Sequence, residues 1–498
     1  MISSFRWLVL AVISGAMLLV VIDMTVLYTA LPRLTHDLMA SANQKLWIVN
    51  SYPLTMAGLL ISMGALCDRY GAHLFFNAGL IIFGLASVIA AFAPSPELLI
   101  IARVLLGIGA SAMMPATLSI VRKTFNDPAE RSFAIGVWAA VASGGAALGP
   151  VVGGILLEYF WWGSVFLINV PVVLITLLFS VKLIPPVTAN PTRVFDFIAA
   201  GQILLGMTGL VYAMKEFSKP DPQLSHFLVA GAVGAVMTAK FIHSQKISPA
   251  PMLNIAIFKS RLFSAGVITA LIASASLTGI ELAITQRLQL ILDMSPLRAG
   301  LYILPLPLAS FFIGPVIGYI IPYTGSIRAI LCTLLISAAG AAVYLFYYDA
   351  GLWLSIISLS IVGAGLGGAM TAASTAIMLN SPESSAGTAA SVEGVSYELG
   401  GAIGIALLGG FMSAVYMHFM SGVPSIPASA KDSIDGALLL AQEMASSQGE
   451  KLRNLAEEAF LKAFFVVFSI AIFILLATCL ILGGWTRHIY RASEEEMS

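Results

Sequence analysis

Residues 144–154 read Gly144-Gly145-Ala146-Ala147-Leu148-Gly149-Pro150-Val151-Val152-Gly153-Gly154. Gly145, Gly149 and Gly153 recur every four residues, so on a helix they share one face. Such a smooth stripe lets a second helix approach closely. Pro150 removes a backbone donor and predicts a bend. The stretch lies inside an apolar run, 133–157, that carries no charge. Such a run reads as a helix buried in hydrocarbon, and tight packing alone would explain its glycines.

The same character extends along the chain. Of 498 residues, 59% are hydrophobic and 10% charged, whereas a soluble domain carries about 25% charged residues. Mean hydropathy is +0.94. A helix needs about 20 mostly apolar residues to cross the hydrocarbon core. Fourteen runs qualify, at 7–29, 46–66, 73–93, 97–121, 133–157, 163–184, 196–215, 226–243, 262–285, 299–321, 328–347, 352–378, 387–416 and 461–485. The expected fold class is therefore an all-α polytopic membrane protein. The net charge of zero leaves no basic footprint for nucleic acid. Cys67, Cys332 and Cys479 outline neither a disulfide framework nor a metal motif.

An even span count puts both termini on one side, and Lys and Arg decide which. With the termini inside, fourteen basic residues fall on inner segments, among them Arg69, Arg122, Arg193, Arg487 and Arg491. Six fall on short outer loops: Arg33, Lys45, Lys215, Lys219, Arg287 and Arg298. Cytoplasmic termini follow, and segment 418–460 is then outside. Within it, Ile434–Leu440 and Glu450–Glu458 read as two short amphipathic helices.

An ionisable side chain at the centre of a span costs roughly 2.5–3.5 kcal/mol on insertion scales, so it needs a reason to be there. Asp23 lies slightly outward of the middle of span 1. Arg103 lies in span 4, Glu281 in the outer half of span 9, and Glu393 and Glu398 in span 13. Pairing or nearness to an interface would account for each acid plainly. The functional reading is that a carboxylate in a low-dielectric cavity holds either a proton or a cation. The four acids are thus candidate substrate- and proton-binding residues. They outnumber Arg103, which favours a cationic substrate, although Arg103 could neutralise one of them.

Glu393 and Glu398 are about 140° apart around a helix, so they cannot both point squarely into one cavity. Glu398 is nearer mid-membrane, beside Gly401 and Ala402, which are expected to leave room for a ligand. It is assigned to cation and proton binding. Glu393, about 7.5 Å closer to the cytoplasm by helix rise, is assigned to a proton relay or to a partner on a neighbouring helix. At the end of span 2, Gly64-Ala-Leu-Cys-Asp68-Arg69-Tyr-Gly71 puts a charge pair at the cytoplasmic surface, in a turn that Gly71 permits. That pair could latch neighbouring helices or be an ordinary solvated loop.

Together these pieces resemble the major facilitator superfamily, and more narrowly its fourteen-span drug:proton antiporter branch of the SmvA and QacA type. The span-1 motif of that branch appears as Asp23-Met-Thr25-Val26-Leu-Tyr-Thr-Ala30-Leu31-Pro32. Span 2 matches through Trp47, Tyr52, Leu54 and Ala57, and the following loop through Gly64, Leu66, Asp68, Arg69 and Gly71. Span 4 matches through Leu99, Arg103, Gly107 and Gly109. The antiporter motif of span 5 matches through Gly145, Gly149, Pro150, Gly153 and Gly154. Span 6 continues the likeness with Phe166-Leu-Ile-Asn169-Val-Pro171. Downstream, Ser295-Pro296-Leu-Arg-Ala-Gly300 and Tyr397-Glu398-Leu399-Gly400 also match. Three positions depart from the pattern. Ala72-His73 stand where basic residues are usual, Asn50 where some relatives have an acid, and Tyr28-Thr29 where small or amide residues are usual.

The resemblance implies a major facilitator fold in three parts. These are a six-helix bundle over 1–190, two inserted helices over 191–250, and a second bundle over 251–498 with the long outer loop at 418–460. It implies that the bundles rock about a midplane site. It also implies that Arg103 supports proton transfer and that the Gly149-Pro150 bend serves the conformational change. The expected function is proton-coupled export of lipophilic cations such as quaternary ammonium compounds, ethidium, chlorhexidine and viologens. A proton-coupled carrier of another small molecule or peptide is the alternative.

No Gly-rich loop ends in Gly-Lys-Ser or Gly-Lys-Thr. The driving force is therefore expected to be a proton gradient, with no cofactor and no metal. The six histidines lie at span ends or in loops, which argues against a membrane-embedded enzyme. The expected partners are small cationic substrates, protons and membrane lipid. The chain is expected to be a monomer in a bacterial inner membrane, with no nucleic-acid partner.

Overall fold

The structure, a computed structural model, describes residues 3–184, 195–217, 222–421, 427, 430–431, 433–444 and 446–495. Arg193, Lys219 and parts of segment 418–460 lie outside the described residues, as do the side chains of Pro150, Arg487 and Arg491. Among the described residues, fourteen helices are long and apolar enough to span a membrane, from Phe5–Asp37 to Gln448–Trp485. They coincide with the fourteen apolar runs. Several extend past their run because the helix is locally capped beyond the hydrocarbon stretch. Span 2 begins at a capping box, in which Ser41 and Gln44 satisfy each other's backbone N–H groups. Asp127 accepts from the N–H groups of Ala129 and Glu130 ahead of span 5.

The outer loop departs from expectation. Ile434–Glu443 is a separate helix, capped by Ser433. Glu450–Glu458 is not: it forms the first turns of one continuous helix, Ser446–Glu495, that becomes span 14. The i,i+4 pairs Arg453–Glu457 and Lys462–Glu458 carry the helix unbroken across the change in polarity. Arg453 also pairs with Asp293, at 2.7 Å, tying this extension to the loop after span 9.

Buried side chains form two large clusters. One is built mainly from spans 1–6, the other from spans 9–14. The first also takes in Ile377, Met378 and Ala386–Val395 of the second half. The two halves are therefore packed together at one end. That end carries Asp68 and Arg122 and is inner by the charge bias. Glycines make the approach possible. A Cβ on Gly136 would meet the backbone of Gly314, and one on Gly318 the backbone of Ser132, so spans 5 and 10 cross nearly backbone to backbone. Toward the other end the halves separate: Tyr28 of span 1 is 61% exposed although it lies well within the helix. The bundles form a V, closed at the inner end and open at the outer.

The inserted helices, Phe197–Phe217 and Leu224–Ile247, pack on each other where Gly206 meets Thr238 and Gly209 meets Gly234. Span 7 also lies on span 2, with Leu204 and Thr208 against Gly58. Val211 buries itself with Leu54, Ala57 and Ala402. Span 7 is therefore part of the seam between the halves.

Candidate functional site

Asp23 is buried, 2% exposed, and fully engaged. Arg103 Nη1 donates to its Oδ2 at 2.7 Å, and Asn169 Nδ2 to its Oδ1 at 2.8 Å. Asn169 also reaches Ser87 Oγ at 3.2 Å. Arg103 Nε donates to the Ile48 carbonyl at 3.4 Å, and the guanidinium lies 4.6 Å from the centre of the Tyr52 ring. Spans 1, 2, 3, 4 and 6 thus meet on one ion pair. Of the four candidate acids, Asp23 is the one that Arg103 pairs with, and both its oxygens are taken by groups of its own bundle. Arg103, Tyr52 and Asn169 stand in the quoted motifs, but their convergence on Asp23 comes from packing of helices distant in sequence.

The acids of the second half are held differently. Glu393 is 1% exposed. Its Oε1 accepts from the Tyr397 hydroxyl at 3.1 Å, and that hydroxyl also lies 3.3 Å from the Met370 carbonyl of span 12. Glu393 Oε2 has no hydrogen-bond partner among the described residues. Glu398, on the other side of the helix, is half-buried. No hydrogen bond or ion pair fixes it among the described residues. Lys215, Tyr28 and Tyr52 lie within electrostatic range of its carboxylate. Gly401 and Ala402 do not leave ligand space beside it: Ala402 fills the seam with Val211, and Gly401 faces Thr278 and Ser274 of span 9. Glu281 lines a separate cavity of about 210 Å³ between Thr25, Ala146, Ala147 and Val151 on one side and Thr285 and Leu304 on the other.

At the inner end Asp68 spans the two halves. Its Oδ1 accepts from the Gly387 N–H at 2.8 Å. Its Oδ2 accepts from the Thr388 N–H at 2.9 Å and from the Thr388 hydroxyl at 2.6 Å. These are the free amides that open the helix Ala386–Gly404, so a carboxylate there gains both hydrogen bonds and the helix dipole. Arg122 reinforces the closure by donating to the Ser381 hydroxyl and carbonyl. Gly64 lies against Ser391 and Gly387 with no room for a Cβ. Arg69 takes no part in this contact; its guanidinium stacks on Tyr70, 5.0 Å from the ring centre. Gly71 has φ 102°, a region that favours glycine, and closes span 2 through its N–H to the Cys67 carbonyl.

The glycine stripe of span 5 meets span 1. Gly145 touches Leu18 and Val21, Gly149 abuts Thr25, and Gly153 abuts Thr29. Gly154 is off this contact, with open space where a Cβ would stand. Thr29 thus packs against the stripe, while Tyr28 beside it faces the opening. Among the described residues no cluster of His, Cys, Asp and Glu is built to hold a metal.

Two six-helix bundles opening in a V, with an Asp–Arg pair buried in one and loosely held acids in the other, define a transporter rather than an enzyme. The chain belongs to the Major Facilitator Superfamily, whose family model matches residues 13–405. It is 36% identical to methyl viologen resistance protein SmvA of Salmonella typhimurium over 492 residues, 96% of this chain and 98% of that one. It is 35% identical to multidrug efflux pump LfrA of Mycolicibacterium smegmatis over 482 residues, 96% and 95% of the two chains. The fold matches the human organic anion transporter MFSD10 with a TM-score of 0.62 at 16% identity, covering 94% and 99% of the two chains. It matches the proton:xylose symporter XylE with a TM-score of 0.60 at 12% identity, covering 95% and 96%.

Proposed function

We propose that this transporter exports lipophilic cations in exchange for protons, with Glu398 as the carboxylate that substrate and proton share. The observation that carries the reading is the contrast in how the acids are held. Asp23 is saturated by Arg103 and Asn169, whereas Glu398 has no fixed partner among the described residues. The efflux and resistance functions of the SmvA and LfrA relatives support the same direction of transport. Substrate enters from the cytoplasm when the inner latch opens, and its charge is met by Glu398. Its apolar body lies against aromatic surface such as the Tyr28 ring. The bundles then rock to the outward-open form. Protons from outside replace the cation on the carboxylates, and the neutral carrier returns. Quaternary ammonium compounds, ethidium, chlorhexidine and viologens are the substrate class, and the protein works in a bacterial inner membrane with its termini in the cytoplasm.

The second reading, a carrier of a zwitterionic metabolite or peptide, is favoured by one observation: Lys215 lies near Glu398 and offers a positive charge. Ethidium efflux from proteoliposomes under an imposed pH gradient separates the two. Efflux that a protonophore abolishes supports proton-coupled cation export. Failure to move ethidium, with proton-dependent uptake of a dipeptide, would replace it with the second reading.

A further inference from the structure

Span 7 ends Tyr212-Ala213-Met214-Lys215-Glu216-Phe217. The hydropathy pattern leaves Lys215 at an outer boundary, where a lysine ordinarily reaches for water. The structure turns it inward. Val211, one helical turn earlier on the same face, is buried against Leu54 and Ala57 of span 2 and Ala402 of span 13. Lys215 therefore lies along the seam where span 7 and the two bundles meet. Its Nζ donates to Asn50 Oδ1 at 2.7 Å. Trp47 and Tyr212, stacked with ring centres 6.0 Å apart, wall this contact together with Leu54. The space left is about 30 Å³, too little for any lipophilic cation. Glu398 of span 13 lies within electrostatic range of the same ammonium.

Asn50 offers a neutral oxygen and one hydrogen bond. A lysine ammonium carries a full charge and three donors on a flexible four-carbon stem. The amide positions that charge without neutralising it. Two carboxylates lie near it, Glu216 and Glu398, and of these Glu398 belongs to the second bundle and has no hydrogen bond or ion pair among the described residues. Tyr28, Tyr52 and Tyr212 face this region as phenols, and the Arg103 guanidinium beyond Tyr52 is paired with Asp23. Glu216, which lines the same space, is buried and accepts the Gln223 N–H at 3.2 Å.

We propose that Lys215 is a tethered cation that competes with substrate for Glu398: anchored on Asn50 in the outward-open form, it places beside that carboxylate a positive charge that an incoming cation must displace or tolerate. The proposal rests on the reading of Glu398 as the cation site. It makes Lys215 a specificity-determining residue. A monocation bound at Glu398 cancels the charge of that carboxylate and leaves the Lys215 ammonium as the one surplus charge. A dication leaves a surplus positive charge beside Lys215 in a medium of low dielectric, where like charges repel strongly. The site is thereby biased toward monocations.

The test is equilibrium binding of ethidium and of methyl viologen to the purified full chain. Wild type, K215M, K215R, N50D, E398Q and K215M/E398Q are compared, each first shown to be monodisperse and to unfold at the wild-type temperature. K215M is expected to bind ethidium about tenfold more tightly, roughly 1.4 kcal/mol. It should gain more for methyl viologen, because that ligand carries two charges. K215R, which keeps the charge, should lack the gain. N50D should also tighten ethidium, because a carboxylate at that position holds the ammonium away from Glu398. The K215M gain should vanish in the E398Q background. If E398Q weakens ethidium binding while K215M does not strengthen it, Lys215 is no competitor and this proposal falls alone. If K215M weakens binding, Lys215 anchors the ligand and the proposal is overturned. If E398Q binds ethidium as wild type does, the cation site itself is wrong and the proposal falls with it.

Discussion

The two bundles hold their acids in opposite ways. In the first, the Asp23 oxygens accept from Arg103 and Asn169, and the network reaches Ser87, Tyr52 and the Ile48 carbonyl. In the second, among the described residues, Glu393 is held through one oxygen by Tyr397 and Glu398 has no hydrogen bond or ion pair. A charge in a low-dielectric interior is stable only when its surroundings replace the water it has lost. The first bundle does this with its own side chains. The second leaves room for a proton or a ligand to complete the job. One half is thus built as a rigid electrostatic frame, the other as a receptive wall.

The largest effect that would break this comparison is at the frame. Asp23→Asn leaves the Arg103 guanidinium buried without its counter-charge, which costs about 3–5 kcal/mol in comparable buried pairs. It should lower the thermal unfolding temperature markedly and abolish transport. Adding Arg103→Gln should restore much of the unfolding temperature without restoring transport. If Asp23→Asn unfolds at the wild-type temperature and only its cation affinity drops, Asp23 belongs with the receptive acids and the contrast fails.

Next in size is the stripe that fastens the frame together. Gly149 touches Thr25, and a larger side chain there must push span 1 away, whereas a Cβ on Gly154 meets nothing. Gly149→Leu should insert into the membrane but lose export, by over tenfold in vesicle efflux. Gly154→Leu should retain most of it. Equal loss in both would mean that the stripe matters through the flexibility of span 5 and not through contact with span 1.

The receptive wall is sharpened by Glu398→Gln, whose expected signature is the reverse of Asp23→Asn. Lys215 keeps its hydrogen bond to Asn50, so the unfolding temperature should fall far less than in Asp23→Asn. Ethidium affinity should fall about tenfold, roughly 1.4 kcal/mol. Glu393→Gln keeps the Tyr397 contact and should alter turnover more than affinity. Isotherms and unfolding curves on the same samples decide both.

The ease of reading differs between these regions for a physical reason. Fourteen spans follow from apolar run length, because every crossing must satisfy the same thickness. The stripe at Gly145, Gly149 and Gly153 is legible because helical periodicity is local. What a helix touches is not local. The resemblance marked Asp23 and Arg103, yet their pairing joins residues 80 apart in the chain. Lys215 escaped because a lysine near a span end has a cheaper explanation in snorkelling. Its burial depends on span 7 lying along span 2, which no run length encodes. The separation of Glu393 from Glu398 was legible from the helical angle, but the supposed ligand space at Gly401 and Ala402 was taken up by packing.

The smallest effect concerns the latch that joins frame to wall. Asp68 accepts from two backbone amides and one hydroxyl of the opposite half, at 2.6–2.9 Å. Asp68→Asn can keep one oxygen as an acceptor, but its NH2 faces donors at the other, and the charge that favours a helix N-terminus is gone. Hydrogen bonds to a charged group contribute about 1.5–3 kcal/mol, so the outward-open form should lose roughly that much relative to the inward-open form. Arg122 with Ser381, and the glycine contacts of spans 5 and 10, still hold the inner end, so the closed form should persist as a smaller fraction. Cysteines placed at Arg69 and Glu383, on opposite halves of that end, report the balance by their rate of labelling with a thiol reagent in everted vesicles. Labelling should quicken several-fold in Asp68→Asn while equilibrium ethidium affinity changes little. Turnover should slow, because the carrier no longer settles into the form that releases outward. Unchanged labelling would mean that Asp68 serves only to cap the helix at Ala386, with closure resting on Arg122 and the glycines.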